Sequence, residues 1–196
     1  MHKLPDEMKI AEHLMWVPYM FSTTEEVAEH LTDDLLDWRP ADPTGAWQFS
    51  LAEIVMHIAD ARRMFCSQLS GDDPLPDYWC PSFWSGEDPR DDGSYAFRPH
   101  GGRVALLADL KAARELFKPY LTRPASEVGQ STEGTEKFNR EMIEQLKAGG
   151  ADPAPLERSG PSTIYQVLLM TIAHESGHRG ALHTLLRING AIPVEE

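Results

Sequence analysis

The sequence predicts an all-α chain: a four-helix bundle in up-down-down-up order, with long ordered loops between helices two and three and between helices three and four. Three observations predict it. Four segments repeat their apolar residues with the helical period of 3.6. Nothing of comparable length alternates with the period of two that a half-buried strand needs. About 33 residues, Ser70 to Gly102, separate the second and third segments, enough to return the chain to its starting end and leave those two helices parallel. At 196 residues the chain has the length of one domain, residues 1–196, with one core.

The first segment is expected from about Glu7 to Leu31, with Ile10, Leu14, Val17, Phe21, Val27 and Leu31 as core positions. Pro18 is expected to kink or split it, and Thr23 with Glu26 could cap a second piece. The second segment begins after Ser50, an N-cap with Glu53 three residues on, and runs to about Leu69 before Gly71 and Pro74. Its apolar stripe is Leu51, Ile54, Val55, Ile58, Ala61, Met64, Phe65 and Leu69. The third runs from about Arg103 to Leu121 on Val104, Leu107, Leu110, Leu116 and Phe117. The fourth runs from about Ser162 to Asn189, with Thr163 and Gln166 as a capping box, Gly190 as the C′ residue and Pro193 beyond it.

The stretch from Ser70 to Gly102 is rich in Pro, Gly and Asp yet carries Tyr78, Trp79, Phe83, Trp84, Tyr95 and Phe97. That aromatic content is wrong for a disordered linker and predicts an ordered excursion packed on the bundle. Between Thr122 and Pro161 a short helix is expected around Glu136 to Lys147, with Phe138, Met142 and Leu146 on one face.

Composition excludes several functions. A net charge of -13 with scattered basic residues repels a phosphate backbone, so no nucleic-acid partner is expected. The apolar stretches, Ile164 to Ala173 among the longest, are too short to cross a bilayer, and the N-terminal residues lack a signal-peptide core; a cytoplasmic protein with no membrane partner is expected. Two cysteines, Cys66 and Cys80, cannot build a disulfide framework and are expected as free thiols, Cys66 as a small core residue.

His174-Glu175-Ser176-Gly177-His178 puts two imidazoles four residues apart on one helix face, where they can share a metal ion. Spacing alone carries little, because eight histidines in a chain of this length produce about 0.3 such pairs by chance. The letters HExxH also suggest a zinc peptidase with Glu175 as general base. The extended form of that motif needs Gly at 181 and His at 184, where this chain has Ala181 and Thr184. With 18 residues after His178, a third ligand is expected upstream instead. His57 shares a face with Ile54, Ala61 and Met64 and so points inward, where a buried imidazole needs a partner. It lies about 10 Å along its helix, and His174 and His178 about 18 and 24 Å along theirs. In antiparallel helices these levels meet; in parallel ones they miss by about 10 Å.

These features resemble the DinB/YfiT-like superfamily of metal-binding four-helix bundles. The pattern is Trp38-Arg39-Pro40, Trp47 to Ser50 opening the helix with His57, then His174 to Gly180 and Leu186-Arg187-Ile188-Asn189-Gly190, over about half the chain. Gly177 stands where many relatives carry a further histidine. The resemblance implies the up-down-down-up order, a three-histidine site at His57, His174 and His178, open metal positions for water or substrate, and a homodimer, which is common in the family. The family includes bacillithiol S-transferases and a mycothiol-dependent maleylpyruvate isomerase. It thus implies a divalent transition metal, a small-molecule substrate and a low-molecular-weight thiol co-substrate.

Three neutral imidazoles suit zinc, nickel or iron, and also copper, and leave positions open as catalytic sites do. A bound ion there would lower the pKa of a water or thiol, for transfer to an electrophile or for hydrolysis; a non-catalytic metal-binding role is the alternative. Glu175 could serve as acid or base but lies about 100° round the helix, and a pair with Arg179 on the outer face is the favoured expectation. His183 is turned away from His178, and His2, His13, His30 and His100 lack a constellation. Trp16, Tyr19, Trp79 and Trp84 are candidates for lining a pocket, with plain core as the alternative.

Overall fold

A computed structural model describes residues 8–41, 48–72 and 100–193. All of the extended regular structure among them is helical, and the nearest approach to a strand is an isolated bridge between Lys9 and Pro124. Cys80, Trp47, Trp79, Trp84 and the aromatic stretch expected to pack on the bundle lie outside the described residues.

Helices α1 (Ile10–His13) and α2 (Trp16–Ala28) replace the single first segment. The break falls at Leu14 and Met15, just upstream of Pro18, which becomes the third residue of α2. The physical reason is that proline is tolerated in a first turn, where its missing N–H has no intrahelical partner to lose. Thr23 and Glu26 form no capping box. Thr23 and Thr24 sit inside α2, and both hydroxyls donate back to the Met20 carbonyl at 3.0 Å.

Helix α3 (Leu51–Ser70) starts as expected: the Ser50 hydroxyl accepts the Glu53 N–H at 3.2 Å, and the Ser50 N–H donates to the Glu53 carboxylate at 2.7 Å. It ends on Gly71 in the left-handed region, φ 79°. From Leu51 to Arg62 every residue of α3 is buried, which makes it the central helix rather than one with a single apolar stripe.

The expected third helix is two: α4 (Arg103–Glu115) and α5 (Lys118–Leu121). Pro119 explains the break, since it removes an N–H and its ring clashes with the carbonyl four residues earlier. Leu110 and Phe117 are buried as expected, whereas Val104 and Leu116 face solvent. The next connection carries the helix expected around Glu136 to Lys147 as α6 (Glu133–Ala148), and it is more helical than a long loop overall, with a 3-10 turn (Ala125–Glu127) before it and α7 (Ala154–Ser159) after it. Here α6 docks on the end of α3. The Thr132 hydroxyl donates to the Leu69 carbonyl at 2.8 Å, and Gly134 lies so close that a Cβ would meet the Gly71 nitrogen at 2.4 Å. Helix α8 (Ile164–Ile188) is capped by Thr163 and Gln166 and stops before Gly190, φ 73°.

Helix α3 packs on α8, α4 and α6, and α2 packs on α8 and α4. The first half of α3, Leu51 to Ala59, shares one apolar cluster with Leu182 and Leu186 of α8, Leu106, Leu110 and Ala113 of α4, and Ala28. The second half, Ala61 to Leu69, shares another with Ile164 to Ile172, Phe117, and Ile10 to Phe21. Between the two clusters each helix contributes polar residues: Glu25 from α2, His57, Asp60 and Arg62 from α3, Arg114 from α4, and His174, Glu175 and His178 from α8. The core is thus two apolar layers with a polar belt across the middle, and the belt carries the candidate site.

Candidate metal centre

His57 sits two turns into α3, and His174 and His178 occupy adjacent turns near the middle of α8. Because the two halves of α3 pair with opposite ends of α8, the two helices run antiparallel and the three histidines share a level. The Nε2 of His57 lies 3.1 Å from the Nε2 of His174 and 3.1 Å from that of His178. One candidate ligand atom from each of the three rings lies within 4.8 Å of the others.

This spacing fits a single ion. Three metal–nitrogen bonds of 2.0–2.1 Å hold their nitrogens about 3.3 Å apart at tetrahedral angles and about 2.9 Å apart at right angles. The observed 3.1 Å falls between. Hydrogen bonding accounts less well for the arrangement, because one imidazole nitrogen cannot serve two neighbouring Nε2 atoms with a single proton.

Protonation also suits metal binding. Burial, reinforced by His178 and His174, holds His57 down at about 3. Burial and then His178 hold His174 at about 4, and burial lowers His178 as well. All three rings are therefore neutral near pH 7, the form a metal ligand must take. The Phe49 ring stacks on His57 with centroids 5.8 Å apart, and the edge of Phe65 meets His174 at 5.8 Å. These rings restrict the imidazoles and dry their surroundings.

The expected outer-face pair of Glu175 with Arg179 is not formed. Glu175 is buried and takes both arms of a fork from Arg62, Nε to Oε2 at 2.9 Å and Nη2 to Oε1 at 2.6 Å. The 100° offset that turns Glu175 away from the histidines points it into the interior, where Arg62 of α3 meets it, rather than outward. Arg62 also donates to Glu25 at 3.0 Å and to the carbonyls of Leu110 and Phe21 at 2.8 and 3.3 Å, and its guanidinium lies over the Phe21 ring. Glu25 in turn accepts from Arg114 at 2.8 Å. Arg179 instead donates to the Thr23 hydroxyl at 3.3 Å.

Sequence reasoning missed Arg62 and Glu25. The available signal was a charge at an apolar position: Arg62 is one turn beyond Ile58, and Glu25 one turn beyond Phe21. Arg39, read only as part of the Trp38-Arg39-Pro40 pattern, forks onto Glu53 and also donates to the Gln48 carbonyl at 2.6 Å. That contact joins the chain before α3 to the N-terminal turn of the helix carrying His57.

The other candidates stay apart from the centre. His13 and His30 are exposed, His100 lies 3.3 Å from Asp37, and half-buried His183 lines a separate cleft with Val27, Arg179 and Gly180. Tyr19 is exposed, while Trp16 packs against the second apolar cluster. Cys66 is a buried thiol that donates to the Leu116 carbonyl at 3.3 Å, and burial pushes it up to about 12. No described helix is long and apolar enough to cross a membrane.

A family model described as the DinB superfamily matches residues 20–182, most of the chain and all three histidines. No curated protein and no solved structure shows a significant match.

Proposed function

The chain belongs to the DinB superfamily, and on that premise we propose that it is a metal-dependent enzyme, His57, His174 and His178 binding one divalent transition ion. The observation that carries this reading is the convergence of three neutral imidazoles, the His57 Nε2 lying 3.1 Å from those of His174 and His178, in a cluster flanked by aromatic rings with His57 buried and the other two half-buried. Zinc, nickel and iron all suit that donor set. Three protein ligands leave at least one position open, and an ion there supplies Lewis acidity that lowers the pKa of a coordinated water or thiol. The reaction we favour is transfer of a low-molecular-weight thiol to a small electrophile, with hydrolysis as the same site's use of water.

The chain's own residues bind and orient. Neutral imidazoles compete with no proton for the ion near pH 7, and Phe49 and Phe65 hold two of the rings. We read the helix contacts as a four-helix bundle of α2, α3, α4 and α8 in up-down-down-up order. Two features support that order. Arg62 reaches Leu110, Arg63 reaches Asp109 and Cys66 reaches Leu116, so α3 and α4 advance together. The N-terminal parts of α2 and α8 share one cluster with the C-terminal part of α3.

The test is turnover of a panel of electrophiles with small thiols or water, repeated after chelation and after metal is restored. Turnover lost on chelation and regained with one ion per chain is expected. Metal binding without turnover across the panel would favour a non-catalytic metal-binding role.

A further inference from the structure

Resting on the reading of the three histidines as ligands, we propose that Arg62 and Glu175 are positioning residues for that centre. Their buried fork sets the register of α3 against α8, so that His57 meets His174 and His178.

Arg62 is five residues beyond His57 on α3, and Glu175 directly follows His174 on α8. Both side chains are 1 % exposed. The guanidinium spends all five N–H donors: Nε and Nη2 on the two oxygens of Glu175, Nη1 on Glu25 and the Leu110 carbonyl, and Nη2 also on the Phe21 carbonyl. One side chain therefore ties α3 to α2, α4 and α8 at the level of the histidines. A paired fork fixes direction as well as distance, which a hydrophobic contact or a lysine would not.

Stability alone is a poor explanation for this network. Buried ion pairs lose about as much in desolvation as they gain in attraction, and apolar replacements of similar volume are often neutral or better; their best-attested use is to select one registry. Apolar layers above and below already hold the helices together, but such surfaces tolerate small slips. A ligand set spaced at 3.1 Å tolerates none, since a shift of about 1 Å at a metal-binding or catalytic constellation is enough to impair it.

The experiment measures Zn2+ and Co2+ affinity, together with the Co2+ absorption spectrum, in wild type, Glu175→Gln, Arg62→Met and Arg62→Lys. It is run at a temperature where circular dichroism shows each protein folded. Leu168→Ala, in the apolar layer away from the centre, is the control for lost stability. Glu175→Gln changes one atom of the fork and is the variant to rely on if either Arg62 variant fails to fold.

We expect Glu175→Gln and both Arg62 variants to bind metal about tenfold or more weakly, with an altered cobalt spectrum, while Leu168→Ala keeps its affinity within about threefold despite a lower Tm. Wild-type affinity and spectrum in Glu175→Gln would overturn the positioning role. So would a loss of affinity in Leu168→Ala that matches the fork variants. Failure of wild type to bind either ion would instead remove the metal reading itself.

Discussion

Acidification of the metal-free protein gives a prediction whose size follows from the histidine cluster. An unfolded imidazole takes up its proton near pH 6.5, whereas in the folded chain His57 waits until about 3 and His174 until about 4. Between those values the unfolded state holds more protons, so stability is fully present above about pH 6.5 and falls as the pH falls. A fully buried ring contributes a slope approaching ~1.4 kcal/mol per pH unit, so His57 contributes ~2 kcal/mol between pH 6.5 and 4.5, and the more exposed His174 adds less because solvent screens it. Against a total of roughly 5–15 kcal/mol for a typical domain, that is a large share. The assay is urea unfolding by circular dichroism at pH 6.5, 5.5 and 4.5 in the presence of a chelator, for wild type and for His57→Gln. The variant should lose stability less steeply, by about 1 kcal/mol per unit. Equal slopes in the two proteins would show that His57 is not held neutral by burial beside the other two rings.

Other perturbations test separate parts of the structure. Gly134→Ala should destabilise by about 1–3 kcal/mol or more in denaturant unfolding, because its Cβ would meet backbone atoms of Gly71 and Leu69 at 2.4 and 2.5 Å. Metal affinity should hardly change in that variant, since the contact lies about 21 Å along α3 from His57. Arg39→Leu should cost about 1–2 kcal/mol in the same measurement, because it takes the guanidinium fork away from the largely buried carboxylate of Glu53 while the Ser50 N–H still donates to it. Cys66 should resist iodoacetamide at pH 8 in the folded protein and react once urea is added, as read by peptide mapping; ready modification of the native thiol would contradict its burial.

Much of this architecture was legible because local signals and packing agreed. Ser50 with Glu53 and Thr163 with Gln166 cap their helices as the letters suggest, and Gly71 and Gly190 take positive φ where helices end. The histidines were legible because helical spacing converts directly into a shared face, and rise per residue into a shared level. Proline positions were harder to read. Pro18 and Pro119 each end up inside a first turn, so the helix breaks lie upstream of them, and a stripe continuing through the sequence conceals that. Glu175 was misassigned because periodicity separates faces without revealing what lies opposite each one. In an isolated helix Arg179 is its natural partner; in the folded chain Arg62 arrives from α3, 113 residues earlier, and no local rule anticipates that pairing. The central position of α3 was hidden for the same reason, since the all-round burial of its first half depends on α4, α8 and the chain around Leu36 and Trp38 packing over faces that the apolar stripe alone leaves open.

The most direct test of the central claim is the metal content of purified wild type, His57→Ala and His174→Ala, combined with X-ray absorption on the metal-loaded wild type. The account predicts about one ion per chain, nitrogen neighbours at about 2.0–2.1 Å, and near-complete loss of metal in both variants. Full occupancy in both variants would contradict it.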